Sequence, residues 1–159
     1  MPRQVLTKQA SAVDAWIRLL RGHASATRAM SAQLEAEHGL TINDYEALLH
    51  LSRAEKGRMR RVDLAGVLLL TASGVTRLLD GLEKAGLVER GSCATDRRVT
   101  YAILTDAGAA RLKEASGSHI AAVRSFFETR YSEEELDQLA GLLERLPDAG
   151  AAAEEDCAA

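Results

Sequence analysis

Proline is nearly absent from the interior of this chain, because its only two proline residues, Pro2 and Pro147, lie near the ends. Proline interrupts helices more strongly than any other residue, so nothing between these positions excludes long helices. Aromatic residues are also scarce, at 4% of the 159 residues, whereas apolar residues make up 47%. The core must therefore consist mainly of Leu, Ala and Val, and this composition favours the packing of helices in one domain.

Cysteine occurs only twice, as Cys93 and Cys157, which is too few for a disulfide framework. No apolar run approaches the roughly 18 residues of a membrane-spanning helix, and the N-terminus lacks the apolar segment of a signal peptide. We therefore expect a cytoplasmic protein without a membrane partner.

His38 and His119 have no metal-ligand spacing with nearby residues, and no phosphate-binding loop or nucleophile motif occurs. We expect neither an enzyme nor a bound metal or cofactor.

The net charge of −3 is unevenly distributed along the chain. Residues 53–98 contain ten Lys and Arg against six Asp and Glu, a net charge of +4, whereas the remaining residues carry −7. An asymmetry of this kind indicates a surface for an anionic partner.

The same basic segment lies within residues 43–104, whose pattern predicts a winged helix-turn-helix. A helix capped by Asn43 leads to a basic connector, residues 58–61, which alternatively forms a short strand. A short helix over about 62–69 is followed by a second helix, which is capped by Thr71, carries an apolar stripe and ends at Gly86. Strands over 87–90 and 98–104 then form a hairpin around a polar tip.

Long amphipathic helices are predicted on both sides of this unit. The first spans residues 9–38 and ends at Gly39; the others occupy 105–146, with caps at Thr105 and Ser132. Residues 147–159 are small and acidic, which predicts a disordered tail. The flanking helices are too apolar for one small domain, so we expect residues 9–38 and 105–146 to form a dimerisation region that packs against a second copy.

Several motifs in this order and spacing resemble the MarR family of bacterial transcription regulators. They are Leu64-Ala65, residues 73–83, residues 86–90, Asp96-Arg97-Arg98 and residues 104–108. The resemblance implies a mainly α fold with a small β-hairpin wing, in which long N- and C-terminal dimerisation helices flank a winged helix-turn-helix. It also implies a homodimer that binds a pseudo-palindromic operator in double-stranded DNA and is released by a small molecule or an oxidant.

The candidate DNA contacts lie on the second helix of the turn and on the wing. They are Ser73, Thr76, Arg77, Lys84, Arg97 and Arg98, and Asp96 would hold a neighbouring arginine as structural support of the wing. The alternatives are capping for Thr76, a helix-surface ion pair with Asp80 or Glu83 for Arg77, and solvated charges for the others. Arg58, Arg60 and Arg61 suit DNA backbone contacts, a ligand pocket or a solvated loop.

A second group of residues suits a small aromatic acid, because cations and aromatic faces bind a planar carboxylate. This group is Trp16, His23, Tyr45, His50, Arg61 and Arg90. The alternative is that Trp16 anchors the packing and that the histidines lie at the surface or are core residues with their hydrogen bonds formed. The sequence thus predicts a DNA-binding repressor released by a ligand. The alternatives are a winged-helix protein-interaction module and a redox-responsive regulator that acts through Cys93.

Overall fold

A computed structural model of the chain describes residues 11–92 and 99–147. The predictions for the start of the first helix before residue 11, for the wing-tip residues Cys93, Asp96, Arg97 and Arg98, and for the tail beyond Pro147 lie outside the described residues.

The predicted fold class is confirmed, because six helices and a small antiparallel sheet follow one another along the described residues. The elements are α1 (Ala12–His38), α2 (Ile42–Arg53), a 3-10 turn (Glu55–Gly57), β1 (Arg58–Arg60), α3 (Arg61–Val67), α4 (Ala72–Lys84), β2 (Val88–Ser92), β3 (Thr100–Leu104), α5 (Asp106–Glu128) and α6 (Glu133–Leu143). The helix-turn-helix is formed by α3 and α4, and the wing by β2 and β3.

Side-chain caps fix the beginnings of most helices. The predicted caps at Thr71 and Ser132 are confirmed, since their side chains accept hydrogen bonds from the backbone N–H of Gly74 and Glu135. The predicted cap of α2 at Asn43 is wrong. Thr41 caps this helix in a reciprocal capping box with Asp44, which satisfies two free backbone N–H groups together.

Glycines close two of the helices as the sequence predicts. Gly39 ends α1 in the left-handed region, with φ of 64°. Gly86, with φ of 72°, ends α4, and the N–H of Leu87 donates to the carbonyl of Leu82 over 2.9 Å. This arrangement is a Schellman motif. Leu87 therefore belongs to the end of α4, and the first wing strand begins one residue later than predicted and continues to Ser92.

The turn between α3 and α4 differs from the predicted helix boundary. The helix ends at Val67 rather than at Leu69, and Leu69 adopts a left-handed conformation with φ of 52°. The three leucines of the turn have different environments. Leu68 is buried, Leu70 packs at the edge of the core, and Leu69 is 93% exposed.

The sheet contains β1, β3 and β2 in that spatial order, and both pairs are antiparallel. Met59 lies opposite Ala102 on one side of the central strand, and Arg90 lies opposite Ala102 on the other. The predicted alternative for the basic connector, a short strand paired with the hairpin, is therefore confirmed. This pairing attaches the wing to the start of α3.

Two compact units divide the chain, Met1–His119 and Ile120–Ala159, and the boundary falls inside α5. The core of the first unit is built around fully buried residues of α1 to α4: Leu34, Leu48, Leu51, Leu64 and Val75. Each such side chain contributes about 1.5–3 kcal/mol through burial. The proposed division into a dimerisation region and a DNA-binding domain stays a prediction.

Each unit also exposes large apolar side chains. In the first unit, five lie on the N-terminal half of α1 and three in or just after α3: Val13, Trp16, Ile17, Leu19, Leu20, Val62, Val67 and Leu69. In the second unit they are Ile120, Tyr131, Leu142 and Leu146, and α6 has no buried residue. Among the described residues, no single helix is long and apolar enough to cross a membrane; α3 and α4 pass that test only as a pair, bent by 106°.

Candidate nucleic-acid interface

The α4 helix has two faces of opposite character. Val75, Leu79 and Leu82 are buried in the core. At 100° per residue, positions 73, 77, 80 and 84 form a stripe on the opposite side. Ser73, Arg77 and Lys84 are exposed along this stripe, and Thr76 is half-buried beside it. The four residues predicted to contact DNA on this helix therefore share its outer face.

The hydroxyl groups at the start of α4 are already engaged within the chain. Thr71 caps the helix, and its Oγ1 lies 3.2 Å from the Oγ of Ser73. Thr76 Oγ1 donates to the carbonyl of Ala72 over 2.8 Å, and an Arg61 guanidinium N–H lies 3.5 Å from the same oxygen. A hydroxyl can still accept a further hydrogen bond, so Ser73 and Thr76 retain acceptor capacity on this face.

Arg77 is exposed, and within residues 11–92 and 99–147 it forms no ion pair. The predicted alternative was an ion pair with Asp80 or Glu83. Both carboxylates are instead bound by Arg90 of the wing strand β2: one guanidinium N–H contacts Asp80, and Nε lies 3.0 Å from Glu83. Arg77 is therefore exposed and has no carboxylate partner among the described residues.

The basic connector borders two shallow cavities. The larger one, of about 280 Å³, is lined by Glu55, Lys56, Arg58, Met59, Arg60, Asp63 and Tyr101. The smaller one, of about 110 Å³, is lined by Arg60, Arg61, Val62, Val99 and Thr100. The Arg58 guanidinium lies over the Tyr101 ring at 5.1 Å from its centroid. The larger cavity has mixed charge, because Glu55 and Asp63 line it together with the cations, whereas the charged residues that line the smaller one are both arginines.

The six residues predicted to bind an aromatic acid lie in several places. Only Arg61 lines either of these two cavities, and Arg90 is paired with the carboxylates of α4. Tyr45 is buried, and its hydroxyl donates to Ser116 over 3.3 Å. Trp16 is 58% exposed on α1.

His23 of α1 and His50 of α2 both interact electrostatically with Glu46. Although part of Glu46 is exposed, desolvation of its carboxyl by the surrounding chain raises the pKa, and the nearby His50 and His23 oppose this change. His23 Nε2 lies 3.5 Å from the Thr27 hydroxyl. Within the described part of the chain, no group of three or more His, Cys, Asp and Glu is arranged to hold a metal ion.

A polar cluster that the sequence patterns did not reveal connects α1, α2 and α5. His119 is 8% exposed, and its ring lies 4.6 Å from that of Tyr45. Its Nδ1 lies 3.2 Å from the side-chain amide oxygen (Oε1) of Gln33, and His38 Nε2 lies 2.6 Å from the Ser118 hydroxyl. Burial lowers the pKa of His119, and the neighbouring His38 lowers it further.

Comparison with known proteins gives consistent matches over most of the chain. The family model described as MarR family matches residues 38–99. The HTH-type transcriptional repressor YetL of Bacillus subtilis is 34% identical over 115 residues, which cover 70% of this chain and 68% of YetL.

Two solved structures have the same fold. A MarR family transcriptional regulator from Streptomyces coelicolor, crystallised in complex with DNA, is 25% identical with a TM-score of 0.76, and the match covers 93% of this chain and 94% of the other. CouR from Rhodococcus jostii, crystallised with p-coumaroyl-CoA, is 26% identical with a TM-score of 0.70, and the match covers 86% of this chain and 94% of CouR.

Proposed function

The chain belongs to the MarR family of winged helix-turn-helix transcription regulators, and we propose that it is a repressor that binds a pseudo-palindromic operator as a homodimer. It is a DNA-binding transcription regulator and not an enzyme. YetL, a relative named as a repressor, supports repression over activation. Two copies of α4, related by a two-fold axis, would read two half-sites of the operator.

The outer face of α4 is the main support for the proposed DNA-binding site. An apolar face holds the helix on the core, and the exposed face carries Ser73, Arg77 and Lys84. In this proposal α4 lies in the major groove, where Arg77 and the hydroxyls of Ser73 and Thr76 contact base edges or phosphates. Lys84 contacts the DNA backbone, and Arg97 and Arg98 insert into the adjacent minor groove.

The site can be tested after selecting operator fragments from random DNA with the purified protein. We expect Arg77→Ala and Arg98→Ala each to weaken operator binding by at least about tenfold, because each removes a cationic contact from both half-sites. Arg124→Ala, an exposed arginine on α5, is the matched control and should bind within about threefold of the unchanged protein. Equal affinities for all three variants, at unchanged melting temperatures, would reject this placement of the interface.

The proposal of a homodimer rests on the exposed apolar faces of the two units. Five large apolar side chains are exposed along the first nine residues of α1, and four more lie beyond residue 119. A monomer with so many exposed apolar residues on its helices would associate in water. Symmetric dimers are the commonest form of such association.

The proposal also includes a small molecule that releases the repressor from DNA. CouR is crystallised with p-coumaroyl-CoA, a thioester of an aromatic acid, and this supports an aromatic ligand here. The residues that we propose for contact are Trp16, His23 and His50. Trp16 and His23 are seven residues apart on α1 and therefore share one face, and His23 and His50 both act on Glu46.

Trp16 is the only tryptophan of the chain, so its fluorescence reports on this region directly. We expect an aromatic acid or its thioester to change that fluorescence and to weaken operator binding at the same concentrations, because a ligand shifts an equilibrium only by its differential affinity. A double variant, His23→Ala with His50→Ala, should bind the ligand at least about tenfold more weakly. If no member of an aromatic-acid panel binds, oxidation of Cys93 is the next signal to test.

A further inference from the structure

Arg90 joins the wing to the outer face of α4. It lies on β2 two residues after the buried Val88, so the two side chains point to the same face of the sheet. From there its guanidinium contacts Asp80 and lies 3.0 Å from Glu83. The three side chains are 39%, 48% and 44% exposed, in the order Arg90, Asp80 and Glu83, so they remain in contact with solvent.

The charges of α4 give this contact its importance. The helix carries two cations, Arg77 and Lys84, and two anions, Asp80 and Glu83, so its formal net charge is zero. Asp80 lies in the centre of the outer stripe, three residues after Arg77 and four before Lys84, and therefore within one turn of both. A duplex carries one negative charge per about 1.7 Å of its axis. An uncompensated Asp80 on this stripe, with an uncompensated Glu83 beside it, would therefore be repelled by the phosphates.

We propose that Arg90 is a positioning residue for DNA binding, because it neutralises Asp80 and Glu83 and allows the outer face of α4 to approach the operator. This role differs from the ligand contact predicted for Arg90 from the sequence. It rests on the proposed function, since it assigns the exposed stripe of α4 to the DNA interface.

The test measures operator affinity and its salt dependence for a set of charge variants of the full chain. Arg90→Met retains most of the side-chain volume and removes the charge. We expect it to weaken operator binding by at least about tenfold, because two carboxylates are released in each half of the dimer. Adding Asp80→Asn and Glu83→Gln to Arg90→Met should restore the affinity to within about threefold of the unchanged protein. Arg124→Met removes one positive charge from α5 and is the matched control.

The rescue separates neutralisation from the other roles that Arg90 can have. If Arg90 contacts DNA directly, or if it only anchors the wing, the triple variant will bind as weakly as Arg90→Met, and the proposal is overturned. It is equally overturned if Arg90→Met binds the operator as well as the unchanged protein.

A further variant keeps the test decisive if Arg90→Met does not fold. Asp80→Asn with Glu83→Gln retains Arg90 and is expected to bind the operator at least as tightly as the unchanged protein. A loss of tenfold or more in this double variant would show that the carboxylates themselves support binding, contrary to the proposal. Failure of the unchanged protein to bind any selected fragment would instead contradict the proposed function. The two failures can therefore be distinguished.

Discussion

Leu69 illustrates at the scale of one residue how the turn between α3 and α4 is strained. Its φ of 52° places a leucine in the left-handed region, where the Cβ crowds the following carbonyl at a cost of about 1–2 kcal/mol. With 93% of the residue exposed, its side chain gains almost nothing from burial in return. The conformation is therefore imposed by its neighbours, because Leu68 and Leu70 both pack towards the core.

We expect Leu69→Asn to stabilise the protein by roughly 0.5–1 kcal/mol, because asparagine adopts the left-handed region more easily. The measurement is the urea midpoint of unfolding. Leu68→Asn is the matched control one residue earlier, where a buried side chain has φ of −84°. It should destabilise the protein, because it places an amide in the core. A lower midpoint for Leu69→Asn would show that the exposed leucine makes a stabilising contact.

The candidate site shows at the same scale what a sequence can and cannot predict. The outer face of α4 follows from helical periodicity, so the exposure of Ser73, Arg77 and Lys84 on one face was predictable from the sequence alone. Their contact with DNA stays a prediction. An ion pair of Arg77 with Asp80 or Glu83 was only the alternative to a DNA contact, and it does not form, because Arg90 binds both carboxylates. No sequence pattern indicated this partner, since Arg90 lies outside the helix. Arg90 lies on the wing strand β2. Its position depends on the strand pairing, which places the Val88 side chain in the core.

At the scale of whole elements, hydrogen bonds connect the end of α4 with the start of α5. The Thr105 hydroxyl donates to the carbonyl of Gly86 over 2.7 Å and accepts from the N–H of Gly108 over 3.0 Å. A Cβ at Gly108 would lie 2.1 Å from the carbonyl oxygen of Leu87. The start of α5 thus lies at backbone distance from the segment that follows α4, and these contacts hold the two helices at a fixed spacing.

Gly108→Ala should therefore destabilise the protein by about 1–3 kcal/mol, because the added methyl group must displace backbone rather than a flexible side chain. It should also weaken operator binding, since α4 and α5 can no longer keep this spacing. Gly117→Ala on the same helix is the control. Nothing lies within 4 Å of its Cβ position, so it should stabilise the protein by about 0.5–1 kcal/mol. Equal melting temperatures for the two variants would exclude this close approach.

The polar cluster around His119 is a second connection between helices, and it predicts a dependence on pH. Burial and His38 lower the pKa of His119 below its ordinary value of 6.5, so the unfolded chain binds the proton more readily. Stability is therefore fully present above about pH 6.5 and is lost as the pH falls through the unfolded pKa towards the folded one. Tyr45, His38 and Glu37, which lies 3.8 Å from His38, are the other ionisable groups of this cluster.

We expect the free energy of unfolding in urea to decrease between about pH 7.5 and pH 5.5. In His119→Gln this decrease should be smaller, because the amide can replace the contact with Gln33 but cannot be protonated. His23→Gln removes an exposed histidine instead and should leave the pH dependence nearly unchanged. If His119→Gln keeps the full pH dependence, another group is responsible for it.

Most of the element order was predictable, because strong local signals mark the boundaries. Thr71, Gly86 and Ser132 were found since each combines a cap or a left-handed glycine with a clear apolar stripe. The start of α2 was misplaced because Thr41, Asn43 and Asp44 are all good capping residues, and only the capping box selects Thr41. The start of α3 has no side-chain cap, but the predicted start at about Val62 lies only one residue after the observed start at Arg61.

At the scale of the whole molecule, the charge distribution suits binding to DNA, and the exposed apolar faces suit association of two chains. The net charge of +4 on residues 53–98 suits a surface that approaches DNA. The net charge of −7 on the remaining residues makes their surfaces unfavourable for contact with DNA. Operator binding should accordingly weaken steeply with salt. The large apolar residues of α1 and of the second unit lie outside this basic segment, so association of two chains need not compete with DNA for the same surface.

Leu142 provides the sharpest test of that association. Its side chain is 56% exposed in the single chain, so a charge at this position does little harm to one folded protomer. At a symmetric apolar interface, Leu142→Glu would bring two buried carboxylates into the contact between copies, which costs several kcal/mol. We expect this variant to sediment as a folded monomer and to lose operator binding, because one α4 cannot span two half-sites. Ala140→Glu adds the same charge about 200° around α6 and should remain a dimer. A Leu142→Glu variant that stays dimeric and binds the operator normally would place the interface on other residues.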